Sequence, residues 1–336
     1  MWWKKAARSD DDAPAASVED ELKSSMEVFW QPLVAALATG ELRAQAPVQE
    51  FLQRCDAMAA GRHEFKKEYL EIRASVDGSE WYKAALTVQT LATCAKNRYT
   101  DVLPFEKTRV RLQGPPNDDA GDYINANFID DKAYIACCAP PPSAIADFWS
   151  MIWHENVRVI LMLTNFVERQ MLKADWYWDP RGSVVRIGDF TVRLATETAS
   201  ALGYTTRSLE LTHVPSKASR VVHHVQLTTW PDHGVLTDFG VIEPMLHLVN
   251  ALNDAEAPGP IVVHCSAGIG RSGTFIAIDM MLKQLRAAVL SGTDVTHALD
   301  VRAIVQQLRT DRPGMVQTAE QYEMIYQYVR HYLCRA

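Results

Sequence analysis

No C-x-x-C pair and no cysteine–histidine spacing suited to zinc occurs in the 336 residues. The six cysteines (Cys55, Cys94, Cys137, Cys138, Cys265 and Cys334) are scattered, which argues against a disulfide scaffold and fits a reducing compartment. Positive charge is scarce as well. With 34 Lys and Arg against 41 Asp and Glu, the formal net charge is -7, so charge alone argues against a broad electrostatic grip on nucleic acid or anionic lipid, while cytoskeletal or peripheral association stays open. Any anion site must be local. No stretch approaches the ~18 apolar residues of a membrane span, and MWWKKAARSDDDAP at the start passes from two tryptophans into charge without the apolar core of a signal peptide. Repeats of 20 to 50 residues are absent too. The expectation is a cytoplasmic, monomeric protein with no membrane span, no nucleic-acid partner, no metal and no cofactor.

What is present is enough apolar residue, 48% of the chain, for a well-buried core. Residues 1–24 are rich in Asp, Glu, Ser, Ala and Pro and read as a disordered tail; residues 25–336 read as a single domain. Within it, 25–63 form a helical extension: Val28, Phe29, Leu33 and Leu37 recur at helical spacing, as do Phe51, Leu52, Cys55 and Met58. Val159-Ile160-Leu161-Met162-Leu163 reads as a buried strand, and 184–194, 208–214 and 220–229 alternate like half-covered strands. Helical periods return with Ile278, Met281, Leu282 and Leu285, then Val301, Ile304, Val305 and Leu308, then Tyr322, Ile325, Tyr326 and Val329. These patterns predict an α/β fold, a twisted mixed sheet flanked by helices on both sides.

One loop carries two incompatible signals. In IVVHCSAGIGRSGTF, Gly268, Gly270 and Gly273 spell G-x-G-x-x-G after an apolar run, the pattern of a dinucleotide-binding turn. Asp294 stands at about the right distance for the accompanying acid, but the segment after it is helical in period and too little chain remains for further β-α units. Cys265 and Arg271 offer a second reading. Successive N–H groups of a Gly-rich loop, with a helix N-terminus from about Ser272, can surround a phosphoryl group and stabilise a thiolate. Arg271 would lower the Cys265 pKa further, giving a nucleophile at neutral pH without a separate base and one prone to oxidation.

At this point the sequence resembles the phosphotyrosine-specific protein-tyrosine phosphatases. VHCSAGIGRSG (263–273) fits the family signature at every position, and KNRYTDVLPFEKTRVRL (96–112), DYINANFI (122–129), ADFWSMIWHENVRVILMLT (146–164), WPDHGV (230–235) and RPGMVQTAEQY (312–322) resemble its other blocks in the same order. The likeness covers roughly 64–333 and suggests a single catalytic domain of non-receptor type with a signalling role. It implies that Cys265 attacks phosphorus and forms a cysteinyl-phosphate, while Arg271 and the loop from Ser266 through Ala267, Gly268, Ile269 and Gly270 hold the phosphoryl oxygens. Ser272 would help the sulfur leave. Asp232, in the Trp230-Pro231-Asp232 lid, would be the proton donor, and Gln317, assisted by Gln321, would position the hydrolytic water.

By the same resemblance Tyr99 sets the depth of the cleft and Asp101 binds the backbone of the substrate peptide. Glu168 braces Arg271, Lys173 braces the closed Asp232 loop, His264 orients the cysteine, Arg309 supports the phosphate loop from behind, and Gly314 leaves room beside the cleft. The implied partners are phosphotyrosine-containing proteins or peptides. The chain departs from the family at Ala136-Cys137-Cys138-Ala139-Pro140, Ala174, Leu236 and Met324, none of them a catalytic position. Two alternatives are weighed: a phosphotyrosine-binding pseudophosphatase, disfavoured because Cys265, Arg271 and Asp232 are all present, and a phosphoinositide phosphatase, disfavoured because Ser266 to Gly270 carries no lysine.

Overall fold

A computed structural model describes residues 18–61, 63–113, 121–231, 234–253 and 258–335, with side chains from residue 28 onward. Along the chain come helices α1 (Val18–Ala38), α2 (Glu41–Ala44), α3 (Ala46–Ala60), α4 (Glu64–Val76), α5 (Glu80–Ala84) and α6 (Leu91–Cys94), then strands β1 (Arg109–Arg111), β2 (Tyr123–Ile129) and β3 (Tyr134–Cys137). Helix α7 (Ile145–His154) precedes β4 (Val159–Met162), β5 (Val167–Glu168), β6 (Met171–Leu172), β7 (Val185–Ile187), β8 (Phe190–Ala199), β9 (Tyr204–His213) and β10 (Ala218–Leu227). Helix α8 (Ile242–Leu252), strand β11 (Ile261–His264) and helices α9 (Gly270–Ser291), α10 (Val301–Asp311) and α11 (Ala319–Cys334) follow.

Nine strands make one mixed sheet in the order β1-β2-β3-β11-β4-β10-β9-β8-β7. The middle strands β3, β11, β4 and β10 are parallel, and pairing is antiparallel on either side. The apolar run of β4 is buried at every position, as a strand covered on both faces requires. Because the four middle strands run the same way, their carboxyl ends share one edge of the sheet. That edge is where an open sheet of this kind receives ligands. The Cys265 loop leaves from it after β11, residues 163–168 after β4, and the Trp230 turn after β10.

Helices α8 to α11 cover one face of the sheet, joined by α1, α3 and α4, while α7 covers the other. The expected helical extension is thus part of the main core. Trp30 of α1 is buried and stacks on His247 of α8 with ring centroids 5.0 Å apart; hiding such an indole removes ~150–250 Å² from water, on the order of 4–6 kcal/mol before entropy is charged against it. Phe51 of α3 stacks likewise on Tyr326 of α11, at 5.8 Å. Two details differ from the sequence reading. Helix α1 begins at Val18, ahead of the boundary at residue 25, so 18–24 are helical, while 1–17 lie outside the described residues. Val28 faces solvent at 65% exposure, and Trp30, Leu33 and Leu37 are the residues buried.

Candidate active site

Strand β11 ends at His264 and the chain turns directly into α9. Gly268 makes the turn possible: its φ is +71°, and a Cβ there would lie 1.9 Å from the Cys137 carbonyl oxygen. Only glycine meets both demands. The Gly268 N–H donates to Cys265 Sγ at 3.3 Å. The Ser272 hydroxyl is buried without a well-formed hydrogen bond; its contact with the sulfur is looser than that, yet it still favours the anion. Burial pushes the Cys265 thiol up, but the Ser272 hydroxyl and N–H, the Arg271 charge and the Gly268 N–H outweigh it, so the net direction is down from the ordinary thiol value.

Arg271, in the first turn of α9, is buried and held as a fork. Its Nη1 and Nη2 donate to Glu168 Oε1 and Oε2, each at 2.7 Å, and Nη1 also reaches the Leu163 carbonyl at 2.8 Å. Glu168 is fixed in turn by the Thr164 hydroxyl and the Asn165 N–H, both at 3.0 Å. Burial alone would raise the Glu168 carboxyl; the Arg271 hydrogen bonds and charge bring it below the usual carboxylate range, so the pair is ionised. Glu168 thus holds both arms of the Arg271 fork.

Cys265 and Arg271 sit at the floor of a cleft of about 280 Å³, whose walls include Tyr99, Asp101, Lys173, Ser266, Ala267, Gln317 and Gln321. The Ser266 hydroxyl donates to the Lys173 carbonyl at 2.7 Å and therefore accepts from Tyr99 OH at 2.8 Å. That links the aromatic wall to the loop. A larger hollow of about 690 Å³ lies between α3, α4 and α11 and also holds thiols and guanidiniums, among them Cys55 and Arg330, but burial pushes the Cys55 thiol up to about 12, so it offers no thiolate near neutral pH.

His264 is wholly buried. Burial lowers its pKa to about 4, so it is neutral near pH 7, and a directed chain of hydrogen bonds sets its tautomer. Arg207 Nη1 can only donate, to His224 Nδ1 at 3.3 Å; His224 Nε2–H then donates to Tyr177 OH at 2.8 Å. Tyr177 OH is left to donate to His264 Nε2 at 3.0 Å, and His264 Nδ1–H to the Cys265 carbonyl at 3.0 Å. His264 thus holds the backbone carbonyl of Cys265. Arg207, His224 and Tyr177 were not foreseen.

Arg309 requires a correction. It donates to the carbonyls of Met315 and Val316, at 2.7 and 3.0 Å, and pairs with Asp77 at 2.5 Å, so it does not stand behind the phosphate loop. Arg312 does. Completely buried, it donates to the carbonyls of Gly268 at 2.9 Å and Ala267 at 3.1 Å, and to the Asn127 and Asn125 side chains, both at 2.9 Å. Arg309 lies in the last turn of α10, whereas Arg312 follows the helix in extended backbone, and that change of direction carries its side chain beneath the loop. By drawing loop carbonyls away from the cleft, Arg312 leaves N–H groups of the same turn to face it.

Gln317 precedes Thr318, the N-cap of α11, so it stands just before the helix that carries Gln321. The two amides still converge: the Gln317 N–H donates to Gln321 Oε1 at 3.0 Å, and a Cβ on Gly270 would lie 3.0 Å from both Gln317 Oε1 and Gln321 Nε2. Both therefore stand over the loop. Gly314 packs near Ile269: a Cβ there would lie 3.2 Å from Ile269 Cδ1. Asp232 and His233 lie outside the described residues; beside them, Trp230 is buried and its Nε1–H donates to the Gly234 carbonyl at 3.1 Å.

The sequence profile of the family described as protein-tyrosine phosphatase matches residues 93–331. The chain belongs to that family. It is 38% identical over 302 residues to the putative receptor-type tyrosine-protein phosphatase mosPTP-1 of Culex quinquefasciatus, covering 85% of this chain and 19% of that protein. It is 41% identical over 235 residues to the tyrosine-protein phosphatase Lar-like of Caenorhabditis elegans (69% and 10%), and 36% identical over 270 residues to the receptor-type tyrosine-protein phosphatase eta of Gallus gallus (79% and 18%). The chain spans about a tenth to a fifth of the length of these curated relatives. Two of the three are receptor-type by name, so they lend the expected non-receptor assignment no support. No helix among the described residues is long and apolar enough to cross a membrane.

Proposed function

We propose that this phosphatase domain hydrolyses phosphotyrosine in proteins through a cysteinyl-phosphate. The observation that carries the reading is a thiol biased toward its anion, Cys265, set among loop N–H groups beside an arginine that Glu168 holds as a fork. In the first step the sulfur attacks phosphorus in line, the bond to the tyrosyl oxygen breaks, and Asp232 supplies the proton to that oxygen. Arg271 and the N–H groups of residues 266–270 hold the equatorial oxygens as charge spreads over them. In the second step water attacks phosphorus, its proton passes to Asp232, and the thiolate leaves with help from Ser272; Gln317 and Gln321 orient the water. Tyr99 walls the aryl ring, Asp101 takes the peptide backbone, and Lys173 braces the lid.

The proposed chemistry requires no metal or cofactor, and a single copy of the chain suffices for it. A nucleophile that must remain a free thiolate supports a reducing, cytoplasmic setting. The non-receptor part of this reading is overturned if the native protein is recovered only in detergent-extracted membranes. The chemical part is tested by acid-quenching the enzyme during turnover of a phosphotyrosyl peptide and analysing it by mass spectrometry. Phosphate on Cys265 is expected, and no phosphate in the Cys265→Ser variant. Asp232→Ala should turn over ~10²–10⁴ times more slowly while still retaining phosphotyrosyl peptide. Full activity of Cys265→Ser would refute the mechanism.

A further inference from the structure

Helix α4 precedes the residues matched by the family profile, yet it touches the segment that carries Gln317. We propose that Tyr69 is a positioning residue for the second chemical step: its hydroxyl, together with the Asp77–Arg309 pair, fixes the backbone of residues 315–317 so that the Gln317 amide stands over the phosphate loop. The proposal rests on Cys265 as nucleophile and on Gln317 as the residue that orients the attacking water.

The backbone is strained at this point. Val316 has φ +56°, a left-handed conformation that a β-branched residue rarely adopts and that persists only where its surroundings over-determine it. Here they do. The Val316 N–H donates to the Ile269 carbonyl at 3.0 Å, within the phosphate loop itself. The Val316 carbonyl accepts from Arg309 Nη1 at 3.0 Å, and the single Tyr69 O–H donates to the Gln317 carbonyl at 2.5 Å, with the Val316 carbonyl 3.1 Å from the same hydroxyl. The Gln317 N–H is taken by Gln321 Oε1 at 3.0 Å. Every polar backbone group of Val316 and Gln317 thus has a partner, and Tyr69, buried to 3% exposure, supplies the one for Gln317 that lies farthest away in sequence. Without that hydroxyl the Gln317 peptide can rotate and carry its side chain off the loop, and displacement of a positioning group by a fraction of an ångström is felt in rate.

The kinetic signature is specific. The ratio kcat/KM covers events up to transfer of phosphate to sulfur, before Gln317 acts; kcat also contains the hydrolysis that follows. In Tyr69→Phe, kcat and KM should fall together by about 2- to 10-fold, the range spanned by one lost hydrogen bond. With p-nitrophenyl phosphate as substrate, kcat/KM should hold and the phosphocysteine fraction trapped by acid quench should rise. Leu70→Ala, next along the helix at 48% exposure, should change neither. An unaltered phosphocysteine fraction in a folded Tyr69→Phe enzyme overturns the proposal, as does an equal loss of kcat and kcat/KM, which would make Tyr69 part of the general architecture. Absence of phosphocysteine from the wild-type enzyme would instead remove the reading beneath it.

Discussion

Gly268 and Gly292 both have left-handed backbones, φ +71° and +63°, but only one is crowded. A Cβ on Gly292 would meet nothing within 4 Å, whereas one on Gly268 would lie 1.9 Å from the Cys137 oxygen, 2.3 Å from its carbonyl carbon and 2.8 Å from the Cys138 nitrogen. Alanine at either position bears the left-handed penalty of ~1–2 kcal/mol. At Gly268 the contact must also open from 1.9 Å to at least 3.0 Å. Cys137 belongs to β3 in the interior of the sheet, so the loop is what yields. A shift on the order of 1 Å in the groups around a reacting atom costs roughly 10²-fold in rate, or about 2.7 kcal/mol of transition-state stabilisation. Gly292→Ala should therefore lose ~1–2 kcal/mol of stability in denaturant unfolding with kcat/KM for p-nitrophenyl phosphate nearly unchanged, and Gly268→Ala should lose roughly 100-fold in kcat/KM. A folded Gly268→Ala enzyme with more than about a tenth of wild-type kcat/KM would refute the steric argument, because strain alone is shared by both sites.

Two further outcomes are expected. The depressed Cys265 thiol keeps its reactive anion above its own pKa and loses it as pH falls through that value; inactivation by iodoacetamide should thus level off below the ~8.5 of a free thiol, and a midpoint at or above that figure contradicts the assignment. The same sign holds for stability: the contribution of this group is complete above the unfolded value and is lost as pH drops through the folded one. Glu168→Gln keeps the shape of the brace and removes its charge, so kcat/KM should fall by about 10- to 100-fold, the value of hydrogen bonds to a charged partner; wild-type kcat/KM in that variant would show that Arg271 is held without it.

Local pattern made much of this molecule legible. The run at 159–163 became β4, the alternating stretches became β7 to β10, and the apolar periods of α10 and α11 face the core. The loop with Cys265 and Arg271 lies between a strand and a helix, because its glycines, thiol and arginine are close in sequence. Long-range partnerships were not legible. Arg309 ends α10 and Arg312 follows it in extended backbone, and spacing alone cannot tell which one meets carbonyls beneath the loop. Tyr69 reaches Gln317, and Arg207 connects through His224 and Tyr177 to His264, across separations that leave no periodic trace. In α1 the anchor shifted from Val28 to Trp30 because burying an indole against α8 outweighs burying a valine.

Arg312 grips the loop carbonyls from inside the protein, on the side away from the cleft. An oxyanion receptor maintained from within costs little to reorganise, and it has no means of distinguishing what is to be cleaved from what has just been made. Inorganic phosphate, and tetrahedral anions of similar size, should compete for the same seat, so a reaction of the proposed kind would be slowed by its own product.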